Sequence, residues 1–212
     1  MIIVIQCAAS KQADAGCLRS RSKKPVLFVA DPELAPTSEE RLYARPDDLC
    51  EDGISWREML LTYNASPFDN PLGLYPAYQL YRNRFYRRLI DRFGSDKVYI
   101  LSAGWGLIAA TFLTPNYDIT FSPMAAGYKR RRRRDYFSDL CMLPNQTDEK
   151  IVFFGGKDYL PLFCSLTSGI RSQKTIFYNS ARPLRAEGYV LERFETTTRT
   201  NWHYECANAF LN

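Results

Sequence analysis

The chain has one histidine among 212 residues, and its six cysteines form no C-x-x-C pair. A zinc centre draws on closely spaced Cys and His, so no metal site is expected, and no motif calls for a cofactor. In a reducing compartment the cysteines read as free thiols, with Cys7, Cys141, Cys164 and Cys206 buried and Cys17 and Cys50 in polar loops. Long apolar runs are also missing, so no stretch is expected to cross a bilayer. The opening MIIVIQCAASK lacks a basic leader and meets Lys11 early, which makes it a first buried strand rather than a signal peptide. A cytosolic protein without a membrane partner is the expectation.

What is present suits a single α/β domain spanning the chain, with 46% hydrophobic content to fill a core. Residues 2–6, 98–101, 150–154 and 175–178 are strand-sized apolar runs separated by helical or loop sequence, 190–194 adds an edge strand and 25–30 another short one. That alternation predicts a three-layer fold with a mostly parallel central sheet of about four to five strands flanked by helices. Apolar residues at 74, 78, 81, 85, 89 and 93 have the spacing of one helical face, with Gly94 as the stop. A terminal helix follows Asn201, its cap. Residues 13–71 lose any period and form a long irregular insertion after the first strand, either a lid or binding loop or a cover for short helices.

Net charge is +5, and its distribution is uneven. Acids gather between 31 and 58, arginines between 82 and 92 and in the run Lys129, Arg130, Arg131, Arg132, Arg133, Arg134. A basic patch of this kind favours a polyanionic partner. Lys11, Arg84, Arg88, the 129–134 run and Arg199 are the candidates for contacting a nucleic-acid backbone, the alternative being a solvated face.

Small polar loops follow each main strand, where a parallel sheet presents its carboxyl edge. Ser102, Gly104 and Gly106 would let a ligand approach the backbone, and Trp105 between the glycines either stacks on a base or packs under the loop. Tyr117 and Asp118 follow Pro115, and Asp118 is either a catalytic carboxylate or a turn residue. Gly155, Gly156 and Lys157 suit a phosphate without the spacing of a P-loop, and Asn179 and Ser180 end the next strand in the same way. His203 stands near Arg199 and Asn201, in polar and aromatic company.

The residues VYILSAGWGLI followed by PNYD resemble the L-S-A-x-x-G-L motif and P-x-Y element of the YaaA-like peroxide-stress proteins. The similarity extends to IQCAASK, the tyrosine-rich helix expected before the motif and GG-x-x-Y, about half the chain, and leaves out the insertion, the arginine run and TNWHYE. It implies association with DNA, and, from some similar proteins, excision of damaged or phage-modified bases. In that scheme the base turns out of the stack onto Trp105 or Tyr117 and leaves through an oxocarbenium-like transition state. Asp118 would stabilise the cation or orient water, and His203 or Asn201 would support the leaving base. DNA is the expected partner, with RNA left open and the oligomeric state unread. Two other readings compete: a noncatalytic DNA-binding stress protein, and a hydrolase or deoxyribosyltransferase of free nucleosides.

Overall fold

The computed structural model describes residues 1–66, 69–182, 185–198 and 200–211. Its elements run β1 (Ile2–Gln6), β2 (Val26–Val29), β3 (Leu42–Ala44), α1 (Trp56–Ala65), β4 (Tyr75–Pro76), α2 (Ala77–Leu80), α3 (Phe85–Phe93), β5 (Val98–Ser102) and β6 (Gly106–Ala109). There follow β7 (Leu113–Thr114), β8 (Tyr117–Asp118), β9 (Leu140–Cys141), β10 (Ile151–Phe154), α4 (Leu160–Thr167), β11 (Lys174–Tyr178), β12 (Val190–Arg193) and α5 (Trp202–Leu211). No described helix is long and apolar enough to cross a membrane.

The expected α/β architecture is present, with a larger sheet than the sequence predicted. Seven strands lie in the order β12-β11-β10-β1-β5-β6-β9, parallel except for the β5–β6 hairpin. The two additional strands are β6 and β9, which extend the sheet past β5. The central strands β1, β5 and β10 are almost wholly buried, as their unbroken apolar runs require when both faces of a parallel sheet are covered. The marginal strand β12 is largely exposed and carries charge. Helix α3 packs by β5, α4 by β6, and α5 by β10 and β11.

The helix expected over 74–93 is two helices with a break. Its apolar period continues through the gap, but the backbone turns aside to pair with the loop after β1. The Arg82 amide donates to the Ser10 carbonyl, the Gln12 amide to the Leu80 carbonyl, and Lys11 bridges Tyr81. Tertiary hydrogen bonds thus override a helical pattern that is otherwise continuous.

The insertion is structured. Strand β2 collects β3 and β8 on its two sides into a three-stranded parallel sheet. Helix α1 starts at Ser55 with a reciprocal capping box, in which Ser55 Oγ accepts from the Glu58 amide and the Glu58 carboxylate accepts from the Ser55 amide. Phe28 packs edge-on against Trp56 and Trp105, with ring centroids 6.1 and 5.0 Å away, so the insertion shares the core of the main sheet.

The thiols also differ from expectation. Cys7 and Cys206 are buried, but so is Cys50, whereas Cys164 is half-buried and Cys141 is exposed on the short outer strand β9.

Gly106 opens β6 at φ +88°, and a Cβ there would stand 2.4 Å from the Leu140 carbonyl oxygen and 2.6 Å from its nitrogen. Both the backbone conformation and the approach of β9 require glycine. Gly106→Ala is expected to lower unfolding free energy by roughly 2–4 kcal/mol, combining strain at positive φ with overpacking. Denaturant unfolding checks this, and an unchanged midpoint would contradict the β6–β9 pairing.

Candidate active site

Chain order and strand order part company between β1 and β10: the chain moves from β1 to β5 on one side, then returns to β10 on the other and continues outward to β11 and β12. Loops leaving the carboxyl ends of two such strands diverge, and the crevice between them is where open α/β sheets bind ligands. A cavity of about 530 Å³ lies at this point. Its walls come from the loop after β1 (Gln6 to Ser10), from Gly156, Asp158 and Tyr159 after β10, from Thr120 and Ser122 after β8, and from the start of α5.

Two lining phenols, Tyr159 and Tyr204, connect the cavity to a network of hydroxyls in the floor behind it. Tyr86 Oη donates to the Gln6 carbonyl at 2.8 Å and meets Tyr204 Oη at 2.9 Å. A hydroxyl has one proton, so Tyr204 is the donor in the second bond. Tyr159 Oη meets Cys7 Sγ at 3.2 Å, and Tyr81 Oη meets Tyr117 Oη at 2.8 Å. Burial raises the pKa of Tyr81, Tyr86, Tyr117 and Tyr159 well above the ordinary phenol value and pushes Tyr204 to about 12. These phenols are neutral hydrogen-bonding groups at physiological pH.

The LSAGWGL segment sits beneath this floor. Trp105 is fully buried between Phe28 and Tyr117, its indole nitrogen without a partner, so no ring face is open to a base. Tyr117 is equally buried, and Ser102 Oγ donates to its hydroxyl while accepting from the Gly104 and Trp105 amides. The stacking expected of Trp105 and Tyr117, and the backbone approach expected at Ser102, Gly104 and Gly106, are therefore corrected to packing. Arg57 donates to the Gly104 and Trp105 carbonyls at 3.2 Å each, and Arg131 to the Ala103 carbonyl at 2.8 Å.

The second glycine turn fares differently. The Gly156 amide donates to Gln6 Oε1 at 2.6 Å, which takes it from any phosphate. Gly155, Gly156, Lys157, Asn179 and Ser180 nevertheless converge on a recess of about 400 Å³ at the ends of β10 and β11. A third recess of about 710 Å³ is lined by Arg133, Lys157 and Arg185. Asp158 borders all three spaces and forms no ion pair among the described residues. It was not singled out from the sequence, although it stands directly after the Gly-Gly-Lys turn, where a strand-end acid faces the switch point.

Asp118 does not line the cavity. Its carboxylate is bound to Lys129 Nζ at 2.6 Å, on the side of β8 away from the buried Tyr117. The 129–134 run is not one contact surface either: Arg131 is buried in a bidentate pair with Asp139, leaving Arg130, Arg133 and Arg134 exposed and Arg132 half-buried. Arg84 and Arg88 are exposed around α3. Asn201, at φ +61°, and His203 both line the cavity, while Arg199 lies outside the described residues.

Comparisons with protein-family models, with curated proteins and with solved structures find no match to this chain.

His203 is buried, its Nε2 has no hydrogen-bond partner, and burial lowers its pKa to about 4. It is a neutral imidazole at pH 7 in the cavity wall, so any hydrogen bond it gives to a leaving base comes from a neutral ring N–H rather than from an imidazolium. The folded-state pKa lies below the unfolded value of about 6.5, so the unfolded chain takes up this proton first. His203 leaves stability intact above about pH 6.5 and reduces it progressively toward about pH 4, by roughly 3 kcal/mol in total. His203→Phe should flatten that part of the stability curve, and a parallel curve for the variant would refute the buried neutral imidazole.

Proposed function

We propose that this chain is a cytoplasmic DNA glycosylase that accepts an extruded nucleotide in the switch-point cavity and hydrolyses its N-glycosidic bond. One observation carries this reading: a nucleoside-sized cavity borders the same carboxylate, Asp158, as a groove walled by Arg133, Lys157 and Arg185. A small molecule needs only the cavity, whereas a polyanionic strand also engages a basic groove beside it. The resemblance of LSAGWGL and PNYD to the YaaA-like proteins supports the same partner.

In this mechanism the basic side chains hold phosphates on either side of the extruded nucleotide. Thr120, Ser122, Asn83 and Asn201 supply neutral donors and acceptors for the edge of the base. As the bond to C1′ lengthens, positive charge builds on the sugar, and a carboxylate beside it stabilises that charge or orients the attacking water. Asp158 takes this part rather than Asp118, because it borders the cavity and is not tied to a cation. Asn201, which lines the cavity, would support the departing base in this scheme.

The decisive experiment screens duplexes carrying different damaged or phage-type modified bases for alkali-labile sites. Asp158→Asn is expected to reduce base release roughly a hundredfold or more while leaving DNA affinity within about twofold, the range of effect of a charged group acting in the transition state. Equal loss of both would make Asp158 a binding residue. Neutralising Arg133, Lys157 and Arg185 together should flatten the dependence of log Kd on log salt by about two to three charge equivalents. An unchanged slope, with turnover of free nucleosides retained, would favour a nucleoside hydrolase or transferase instead.

A further inference from the structure

The loop after β1 ends in an amine with an unusual setting. Lys11 is half-buried, and its Nζ sits 4.0 Å from the centroid of the Tyr117 ring. Its one polar contact is the Ala9 carbonyl at 3.5 Å, at the limit of a hydrogen bond. It forms no ion pair among the described residues, because the nearby carboxylate of Asp118 is taken by Lys129. The position is fixed: the backbone of Lys11 bridges Tyr81, and the four residues before it, Cys7 to Ser10, line the switch-point cavity, with Lys11 next in the chain just outside that lining.

An ammonium held in this way is poorly solvated, and burial is the largest influence on it, lowering its pKa below the usual lysine value. The second cation, Lys129, acts in the same direction, while Cys7 and Asp118 act against it. A desolvated lysine next to another cation is a recurrent way of obtaining an amine nucleophile near neutral pH. Beyond its contact with the Tyr117 ring the amine has no charged partner among the described residues, and it follows directly on Ser10 of the cavity wall, from which its long side chain can reach a carbonyl carbon brought to that wall.

Base excision produces such a carbon. The abasic sugar left behind opens to an aldehyde at C1′. We propose that Lys11 captures this aldehyde, so that the protein is also an abasic-site lyase. The neutral amine adds to C1′ and, with loss of water, gives a protonated imine. The imine withdraws electrons from C2′, whose proton passes to water. That electron pair makes C1′–C2′ a double bond as the C=N pair returns to nitrogen, giving an enamine. The nitrogen pair then restores the imine as a C2′–C3′ double bond forms and the C3′–O bond breaks, expelling the 3′ phosphate. Water hydrolyses the resulting unsaturated imine and returns the lysine. No oxidant, reductant or metal enters the balance.

This inference rests on the DNA-acting reading but not on knowing the base, so it is tested on a labelled duplex carrying one preformed abasic site. Borohydride reduces the imine to a stable amine, and the covalent protein–DNA adduct is read on a denaturing gel. The full chain is expected to trap the duplex and to nick it without alkali. Lys11→Arg should lower trapping at least tenfold, whereas Lys150→Arg, at the opposite end of the sheet, should not change it. Should Lys11→Arg fail to fold, mass spectrometry of the adduct on the unaltered chain decides instead, with attachment expected at residue 11. No adduct, or attachment at Lys157, Lys129 or another lysine, overturns the proposal. Base release on modified duplexes is measured separately, so a glycosylase that leaves abasic sites intact refutes the lyase alone.

Discussion

Two buried guanidiniums hold the region between the main sheet and the insertion. Arg57, from α1, pairs with Asp47 and binds the carbonyls of residues 104 and 105; Arg131 pairs with Asp139 and binds that of residue 103. The turn that links β5 to β6 therefore has three successive carbonyls satisfied by side chains from elsewhere in the chain. Burying a charge is costly unless it is paired and further hydrogen-bonded, and here each guanidinium has both a carboxylate partner and at least one backbone carbonyl. Arg131 is further sandwiched on the Phe137 ring, 4.0 Å away. Removing either arginine would leave an aspartate without its cation and the Gly104 or Ala103 carbonyl without its side-chain donor, so these contacts specify the local arrangement more than they add net stability.

That constraint explains why the glycine-tryptophan turn misleads when read as sequence. Glycines flanking an aromatic at a strand end look like a ligand loop, yet the small residues serve close backbone packing and the arginines that fill the loop's carbonyls arrive from positions 57 and 131. Such partners are invisible to local pattern. The parallel strands β1, β5, β10 and β11 were legible because each is a compact apolar run bounded by turn residues. Strand β6 was not, since GLIA continues the turn without a break in composition, and the two-residue β9 has no pattern of its own. The site was half legible. The loops after β10 and β11 and the start of α5 do converge, but the cavity's position depends on strand order, which no single segment encodes.

The electrostatic character of the cavity follows from the same burial. Among its lining residues Tyr159 and Tyr204 are phenols that stay protonated and His203 is an imidazole that stays neutral, so this wall offers directional hydrogen bonds without net charge. Charge is confined to the rim, where Asp158 faces one space and Lys157 and Arg133 the next. A neutral, planar, polar group suits the interior, and anionic groups suit the rim. This division is that of a nucleotide, with its base and its phosphates.

The small sheet of β3, β2 and β8 alters what kind of object the insertion is. Because β8 belongs to the segment after LSAGWGL while β2 and β3 belong to the insertion, two distant stretches of chain complete one sheet. Trp56 and Phe28 then enter the same core as Trp105. An ancestral or engineered shortening of residues 13–71 could not proceed as the trimming of a loop. It would have to replace a wall of the core, so length variation in this region should come as exchange of whole units rather than as gradual erosion.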